Sequence, residues 1–281
     1  MPVRHRQQSL NIILSTTLIG ILAVPIIGPA LPIVQGEFEI NNRDIGWTLM
    51  SSYTLPAIFF VPLTGYLADR FGKKQILIPS LLIFGLCGGL ISLASNIETL
   101  IALRFCQGIG ASAVSTLNIA LIPDLFTGRD RVKAMGYVGA IQSVGAGLLP
   151  LIGGLLASIT WYLPFTTALL SLPLCWYVII YLENEESNKS ERKKGYMAYA
   201  WQNLADQRVL ELCLFTFGFI LVGFGAFVSY IPSFMSDRFG SEPILIGIIV
   251  SARSLTGGIA AGYLNRITLL FPSRFLIVSS F

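Results

Sequence analysis

Charge is what this sequence has least of. Only 12% of its 281 residues are Asp, Glu, Lys or Arg, whereas soluble domains carry about 25%. With 54% hydrophobic residues and a mean hydropathy of +0.71, no water-facing shell can be assembled. Lipid must be the solvent for much of the chain. Histidine is nearly missing. His5, in the N-terminal tail, is the single one. No Cys/His group has metal-ligand spacing, and there is no Gly-x-Ser-x-Gly, His-Glu-x-x-His or phosphate-binding loop. An enzyme, a metal centre and an organic cofactor are therefore not expected. Cysteine is sparse as well. Cys87, Cys106, Cys175 and Cys213 all fall inside apolar stretches and read as small hydrophobes. Acidic residues are absent from the middle of every apolar stretch, since Glu98, Asp124 and Glu211 all lie near stretch ends.

What the chain does have is long apolar runs. A membrane-crossing helix needs about 20 mostly apolar residues. Eight segments qualify, near 10–33, 45–68, 75–95, 99–122, 134–158, 161–182, 209–231 and 244–264. A ninth begins near Phe275. The runs are continuous and rich in Leu, Ile and Gly, where barrel strands would alternate, so helices are expected. Arg4, His5 and Arg6 precede an apolar run longer than a signal-peptide core, with no evident cleavage site. The first run therefore reads as a retained span.

Lys and Arg orient the spans. With the N-terminus inside, fifteen of the 19 basic residues fall on inner segments, among them Arg4, Arg6, Arg70, Lys73, Lys74, Arg129, Arg131, Lys133, Arg192 and Arg208. Only Arg43 and Arg238 fall outside, while Arg104 and Arg253 lie within spans. That bias predicts a cytoplasmic N-terminus and a multi-pass protein of the cell (inner or plasma) membrane. The +4 net charge belongs to these inner loops, so nucleic acid is not an expected partner.

The chain divides into three parts. Residues 1–182 read as a six-helix bundle, 183–208 as a polar cytoplasmic linker, and 209–281 as the beginning of a second bundle. A weak repeat supports the division. Leu31-Pro32 is echoed by Ile231-Pro232, Ile45-Gly46 by Ile246-Gly247, and Gly65-Tyr66-Leu67 by Gly262-Tyr263-Leu264. Coincidence of short peptides is the competing explanation.

Within the spans, four patterns stand out. Arg104, Gln107, Gly108, Ala111, Ser115 and Asn118 share one face of the fourth span. A charge there avoids lipid, so the stripe should look into a wet cavity or the bundle interior. Arg104 is then either a functional cation or a lock that hydrogen-bonds backbone and Gln. Gly136, Ala140, Ser143, Gly147, Pro150 and Gly154 form a small-residue stripe on the fifth span. The eighth span has a matching stripe of Gly247, Ser251, Ser254, Gly258 and Ala261. The two helices either face each other between the halves or pack within one half. Gln142 and Arg253, also inside spans, are further cavity candidates. Arg253 is either a cavity-facing cation or one member of a buried pair. Finally, Asp69 and Lys73 would lie one turn apart if the second span runs on, with Asp124 on the same membrane face.

Four motifs carry a family resemblance. The run Gly65-Tyr66-Leu67-Ala68-Asp69-Arg70-Phe71-Gly72-Lys73-Lys74-Gln75-Ile76-Leu77 resembles the loop between helices 2 and 3 of the major facilitator superfamily, with Lys73 where Arg is usual. Leu100-x-x-x-Arg104-x-x-Gln107-Gly108-x-Gly110-Ala111 resembles a superfamily motif linked to proton coupling. Gly145-x-x-x-Leu149-Pro150-x-x-Gly153-Gly154 resembles the antiporter motif, with Leu149 replacing a Gly. Gly28-Pro29-Ala30-Leu31-Pro32 is similar to the first span of twelve-helix drug:proton antiporters. The resemblance implies an all-α integral membrane protein of the major facilitator fold. The chain would hold a complete N-terminal six-helix bundle and the first two to three helices of the second, as a C-terminally truncated member. It implies secondary active efflux of small amphipathic molecules by proton antiport and alternating access. By resemblance, Gly65, Asp69, Arg70, Gly72, Lys73 and Asp124 are gating residues. Arg104, Gln107 and Asn118 are coupling candidates, and Gly145, Gly147, Pro150, Gly153 and Gly154 form a helix interface. The expected partners are the bilayer, a small-molecule substrate and protons. Two alternatives remain, a solute uptake permease of the same superfamily and a non-transporting remnant.

Overall fold

A computed structural model of the chain describes residues 3–38, 42–182 and 230–252, with 210, 211, 214, 215 and 218 between them. Helices and short turns make up all of the described residues. The long helices are α1 (Val3–Leu22), α3 (Asn42–Phe71), α4 (Lys73–Leu90), α5 (Ile97–Ala120), α7 (Gly128–Ala157) and α9 (Ser171–Tyr181). Shorter ones are α2 (Leu31–Glu37), α6 (Ile122–Leu125), α8 (Leu163–Thr166), α10 (Ile231–Phe239) and α11 (Pro243–Ala252).

The sequence accounts for where these helices start and stop. α3 runs to Phe71, beyond the expected edge at 68, and Gly72 ends it with φ +105°. An L side chain is strained at that angle, and Gly is not. The next helix starts at Lys73, so the chain reverses on one residue. The second span therefore does not run on, and Asp69 and Lys73 flank a sharp corner. Asn96 caps α5, its side-chain oxygen accepting from the Thr99 amide at 2.8 Å, and Glu98 sits in the first turn where the helix dipole favours an anion. α10 ends on left-handed Gly240, whose amide satisfies Met235 and Ser236 carbonyls.

The first span is also corrected. It does not run unbroken from 10 to 33. α1 stops at Leu22, and a 3-10 turn over Gly28–Ala30 leads into α2. Leu31-Pro32 opens α2 and Ile231-Pro232 opens α10, both with proline in the first turn, where its missing amide hydrogen costs nothing. The sixth span likewise begins as short turns at Leu163–Thr166 and Thr167–Leu170 before α9.

Four stretches are long and apolar enough to cross a membrane: Lys73–Leu93, Ile97–Leu125, Gly128–Ala157 and Leu163–Tyr181. α1 has a shorter apolar part, Gln7–Leu22. α3 is diluted by Ser51, Ser52, Thr54, Thr64, Pro56 and Pro62, although its 30 residues span about 45 Å. Phe59, Leu93 and Trp176 are each more than two-thirds exposed. On helices long and apolar enough to cross a membrane, side chains exposed in this way fit a lipid solvent.

α5 occupies the centre, packed against α3, α4 and α1, with α9 against α4 and α7 against α1. Glycine makes the approaches close. A Cβ on Gly110 would lie 2.6 Å from the Ser80 carbonyl oxygen, and one on Gly108 would strike the Tyr53 carbonyl. Backbones meet there because no side chain intervenes. Leu77, Leu81, Phe84, Leu117 and Val178 fill one core layer. Ile26, Leu31, Leu49, Leu100 and Phe165 fill a second.

Candidate functional site

Arg104 is wholly buried. Its Nη1 donates to Gln107 Oε1 at 2.8 Å, one turn along α5, and its Nη2 donates to the Ala23 carbonyl at 3.5 Å. The guanidinium lies 4.6 Å from the Tyr53 ring centre and 5.6 Å from that of Phe165. Aromatic faces attract a desolvated cation by about 2 kcal/mol. Nε has no hydrogen-bond partner. No carboxylate among the described residues reaches ion-pair distance of this group. Of the two surroundings expected for the stripe, the structure gives the bundle interior. Gln107, Gly108, Ala111 and Asn118 are buried with Arg104, and Ser115 alone is exposed.

The break between α1 and α2 makes this site possible. Ala23 follows the last helical residue, which leaves its carbonyl open to a side-chain donor. Tyr53 comes from α3 and Phe165 from the start of the sixth span, so four chain segments converge on one cation. One helical turn below Ser115, Asn118 Nδ2 donates to Thr17 Oγ1 at 2.9 Å and ties α5 to α1.

At the other end of α5 lies a cluster of charge. Lys73 pairs with Asp124 and its Nζ donates to the Ala120 carbonyl at 2.8 Å. Ala120 is the last residue of α5, so the ammonium neutralises the helix C-terminus. Lys74 does the same for α9, donating to the carbonyls of Ile179 and Leu182. Adjacent lysines at one helix start thus cap two neighbouring helix ends. Asp69 is half-buried and Arg70 exposed, the latter stacked 5.4 Å from Phe71. Gly65 is half-buried on the same helix.

A third constellation joins α7 to α11. A Cβ on Gly154 would collide with the Pro243 carbonyl oxygen, and one on Gly247 would lie 2.6 Å from that of Pro150. On its other flank α7 meets the first span. Gly153 faces the Ile26 backbone, and Gly145 faces the tip of Ile21. Gly147 and Pro150 are buried. Pro150 sits inside an uninterrupted helix of 30 residues.

Some expected residues stand apart. Gln142 is exposed and forms no part of the Arg104 site. Arg253, Ser254, Gly258, Ala261, Cys213 and the 183–208 connection lie outside the described residues. The cysteines are not uniformly buried, as expected of small hydrophobes: Cys175 is, Cys87 is intermediate and Cys106 is exposed. Sequence reasoning missed Tyr53, Phe165, Thr17 and Lys74. Nothing local marks the first three. Lys74 carried one signal, a second cation at a helix start where the dipole disfavours it.

Comparison with known proteins places this geometry. A model of the Major Facilitator Superfamily matches residues 13–281. Multidrug resistance protein 1 of Bacillus subtilis (strain 168) is 27% identical over 276 residues, which is 96% of this chain and 69% of that protein. The Bacillibactin exporter of the same organism is 35% identical over 158 residues, 54% of this chain and 39% of the exporter. The chloramphenicol resistance protein CraA of Acinetobacter baumannii is 34% identical over 154 residues, 54% of this chain and 37% of that protein. Among solved structures, a bacterial homologue of the human lysosomal transporter Spinster, inward-facing and unoccupied, superposes with a TM-score of 0.79 at 16% identity. It covers 98% of this chain and 64% of its own. That likeness speaks for the fold. The chain thus spans between about four-tenths and seven-tenths of the length of these relatives.

Proposed function

The chain belongs to the Major Facilitator Superfamily, and from that premise we propose that it acts in secondary active efflux of small amphipathic molecules by proton antiport. The observation that carries the reading is the backbone contact of Pro150 and Gly154 with Pro243 and Gly247. Side chains that interdigitate resist sliding. Two helices that meet through glycine and carbonyl can tilt on one another without repacking a core. In this reading residues 1–182 and 209–281 belong to two bundles, joined by 183–208, and α7 with α11 is the contact on which they rock. Efflux is supported by the names of the relatives, a multidrug resistance protein and an exporter among them.

The gating role falls to the basic end. Lys73, Asp124 and the ends of α5 and α9 are bound together there, with Gly65, Asp69, Arg70 and Gly72 at the same corner. Opening and closing on that side would break and remake these contacts. Arg104 and Gln107 are the coupling candidates. A cation held by neutral partners responds to any carboxylate or anionic substrate that approaches, because no described carboxylate neutralises it. Asn118, Gln142 and Arg253 are proposed for the cavity wall. The basic end is assigned to the cytoplasm of the cell membrane, following the Lys and Arg bias.

The test uses the full chain in everted membrane vesicles with ethidium as a fluorescent amphipathic probe. An imposed pH gradient, acidic inside, should drive probe accumulation, and nigericin should abolish it. Accumulation that ignores the gradient rejects antiport. No accumulation with or without it rejects transport by this chain. Probe driven out of the everted vesicles would indicate uptake. A reporter fused after Tyr181 should be reachable from the cytoplasmic side alone, and labelling only from outside would reverse the assigned orientation.

A further inference from the structure

Cys87 on α4 and Cys106 on α5 take no part in the constellations above. Both are free thiols. Helix register places them together. α4 and α5 run antiparallel with Gly110 seated against Ser80 and Phe84, and with a Cβ on Gly88 falling 2.6 Å from Gln107 Nε2. One turn on from the backbone contact of Gly110 with Phe84, the antiparallel helices bring Cys87 level with Cys106. Gly110 keeps the two helices close there. Cys106 is exposed and Cys87 partly so. Around them Leu86, Leu90 and Phe105 are each about half exposed, which makes the approach apolar.

We propose that Cys87 and Cys106 form a dithiol site for a neutral, lipid-soluble trivalent arsenical. The chemistry is a condensation. A monosubstituted arsenic(III) oxide reacts with two thiols, two As–S bonds form, the As–O bonds break, and the oxygen leaves as water carrying both thiol protons. Arsenic stays trivalent and nothing is oxidised. The product is uncharged. Soft metal cations also favour sulfur ligands. A monovalent one held by two thiolates would leave a net negative charge among apolar side chains, and that is costly. The neutral adduct avoids the penalty, and an apolar substituent on arsenic would rest against Leu86, Leu90 and Phe105. The second thiol closes the bridge intramolecularly, so the pair outbinds either cysteine alone. Both cysteines lie within the α4–α5 pair, so the site stands whether or not the chain transports.

Phenylarsine oxide added to the purified full chain is the probe. One phenylarsenic group should bind per chain and should block maleimide labelling of both cysteines. Trypsin cuts after Arg104 and separates the two thiols, so the peptides Gln75–Arg104 and Phe105–Arg129 should be recovered joined by arsenic. Cys87→Ala and Cys106→Ala should each lower affinity on the order of a hundredfold. Recovery of the two peptides unjoined would overturn the proposal, as would arsenic on Cys175 or Cys213. Unchanged affinity in either variant would do the same. The peptide readout uses the natural sequence, so it decides even where a variant fails to fold.

Discussion

Replacing glycine by alanine at two positions of α7 should give unequal results. Gly145 and Gly153 both face the first span, eight residues apart on one helix. In both cases a methyl would enter occupied space. At Gly145 the obstacle is Cδ1 of Ile21, the tip of a flexible side chain, and the next atoms stand 3.6 Å away. At Gly153 it is the carbonyl oxygen of Ile26, backed by its carbon and Cα within 2.9 Å. Ile21 can change rotamer for about 0.5–1.5 kcal/mol at most. Alanine returns about 0.8–1 kcal/mol of helix propensity, so Gly145→Ala should be close to neutral. Backbone has no such freedom. Forcing a methyl onto Ile26 must shift the α1–α2 connection or α7 itself, at about 1–3 kcal/mol. The propensity gain is common to both, so the two variants should differ by about 1 kcal/mol. For chains near this size that separates melting points by roughly 2–4 °C. The assay is thermal unfolding in detergent, read as exposure of buried Cys175 to a thiol-reactive dye in a Cys106→Ser background. If Gly153→Ala melts at or above Gly145→Ala, the backbone approach of α7 to Ile26 is refuted.

Lys74→Gln should weaken the end of α9 by about 1 kcal/mol and speed hydrogen exchange in its last turn, while Lys74→Arg should retain the natural rate. Equal exchange in all three chains would remove Lys74 as the cap. Lys73→Asp and Asp124→Lys, made singly and together, should show a coupling of up to about 1 kcal/mol in a thermal double-mutant cycle. Strict additivity would mean that the pair contributes nothing. Gly154→Ala should lower the melting point, at a cost of about 1–3 kcal/mol, because its methyl would meet the Pro243 carbonyl. A melting point equal to that of the natural chain would separate α7 from α11. Asn118→Leu and Thr17→Val should each destabilise the bundle, with a coupling of about 0.6–2 kcal/mol between them, and independent effects would break the α5–α1 tie.

Much of the fold was legible because hydrophobic run length needs no tertiary information. The helices expected near 75–95, 99–122 and 134–158 appear as α4, α5 and α7, with edges displaced by a few residues. The break in the first span was less legible. Gly28-Pro29-Ala30-Leu31-Pro32 announced a kinked outer end, but the helix stops earlier, at Leu22, and Pro25 three residues on is the local mark of that stop. Asp69 and Lys73 would be helical neighbours only if the second span ran on, and Gly72 ends it with a positive φ that lets the chain reverse at once. At the Arg104 site the periodicity of α5 correctly grouped Arg104 with Gln107. It could not say that the partners across the gap would be two aromatic rings and one carbonyl.

Lipid as the surrounding medium, helix as the spanning form, and basic residues gathered at one end of the spans all follow from composition and order along the chain. These depend on what a residue is and how far it lies from the next residue of its kind, and that information is one-dimensional. Whether Arg104 meets water or a closed interior, which helix ends Lys73 and Lys74 cap, and whether Gly153 touches backbone while Gly145 touches a yielding side chain were settled by packing. Those outcomes depend on distances between segments tens to a hundred residues apart, set jointly by every helix in the bundle.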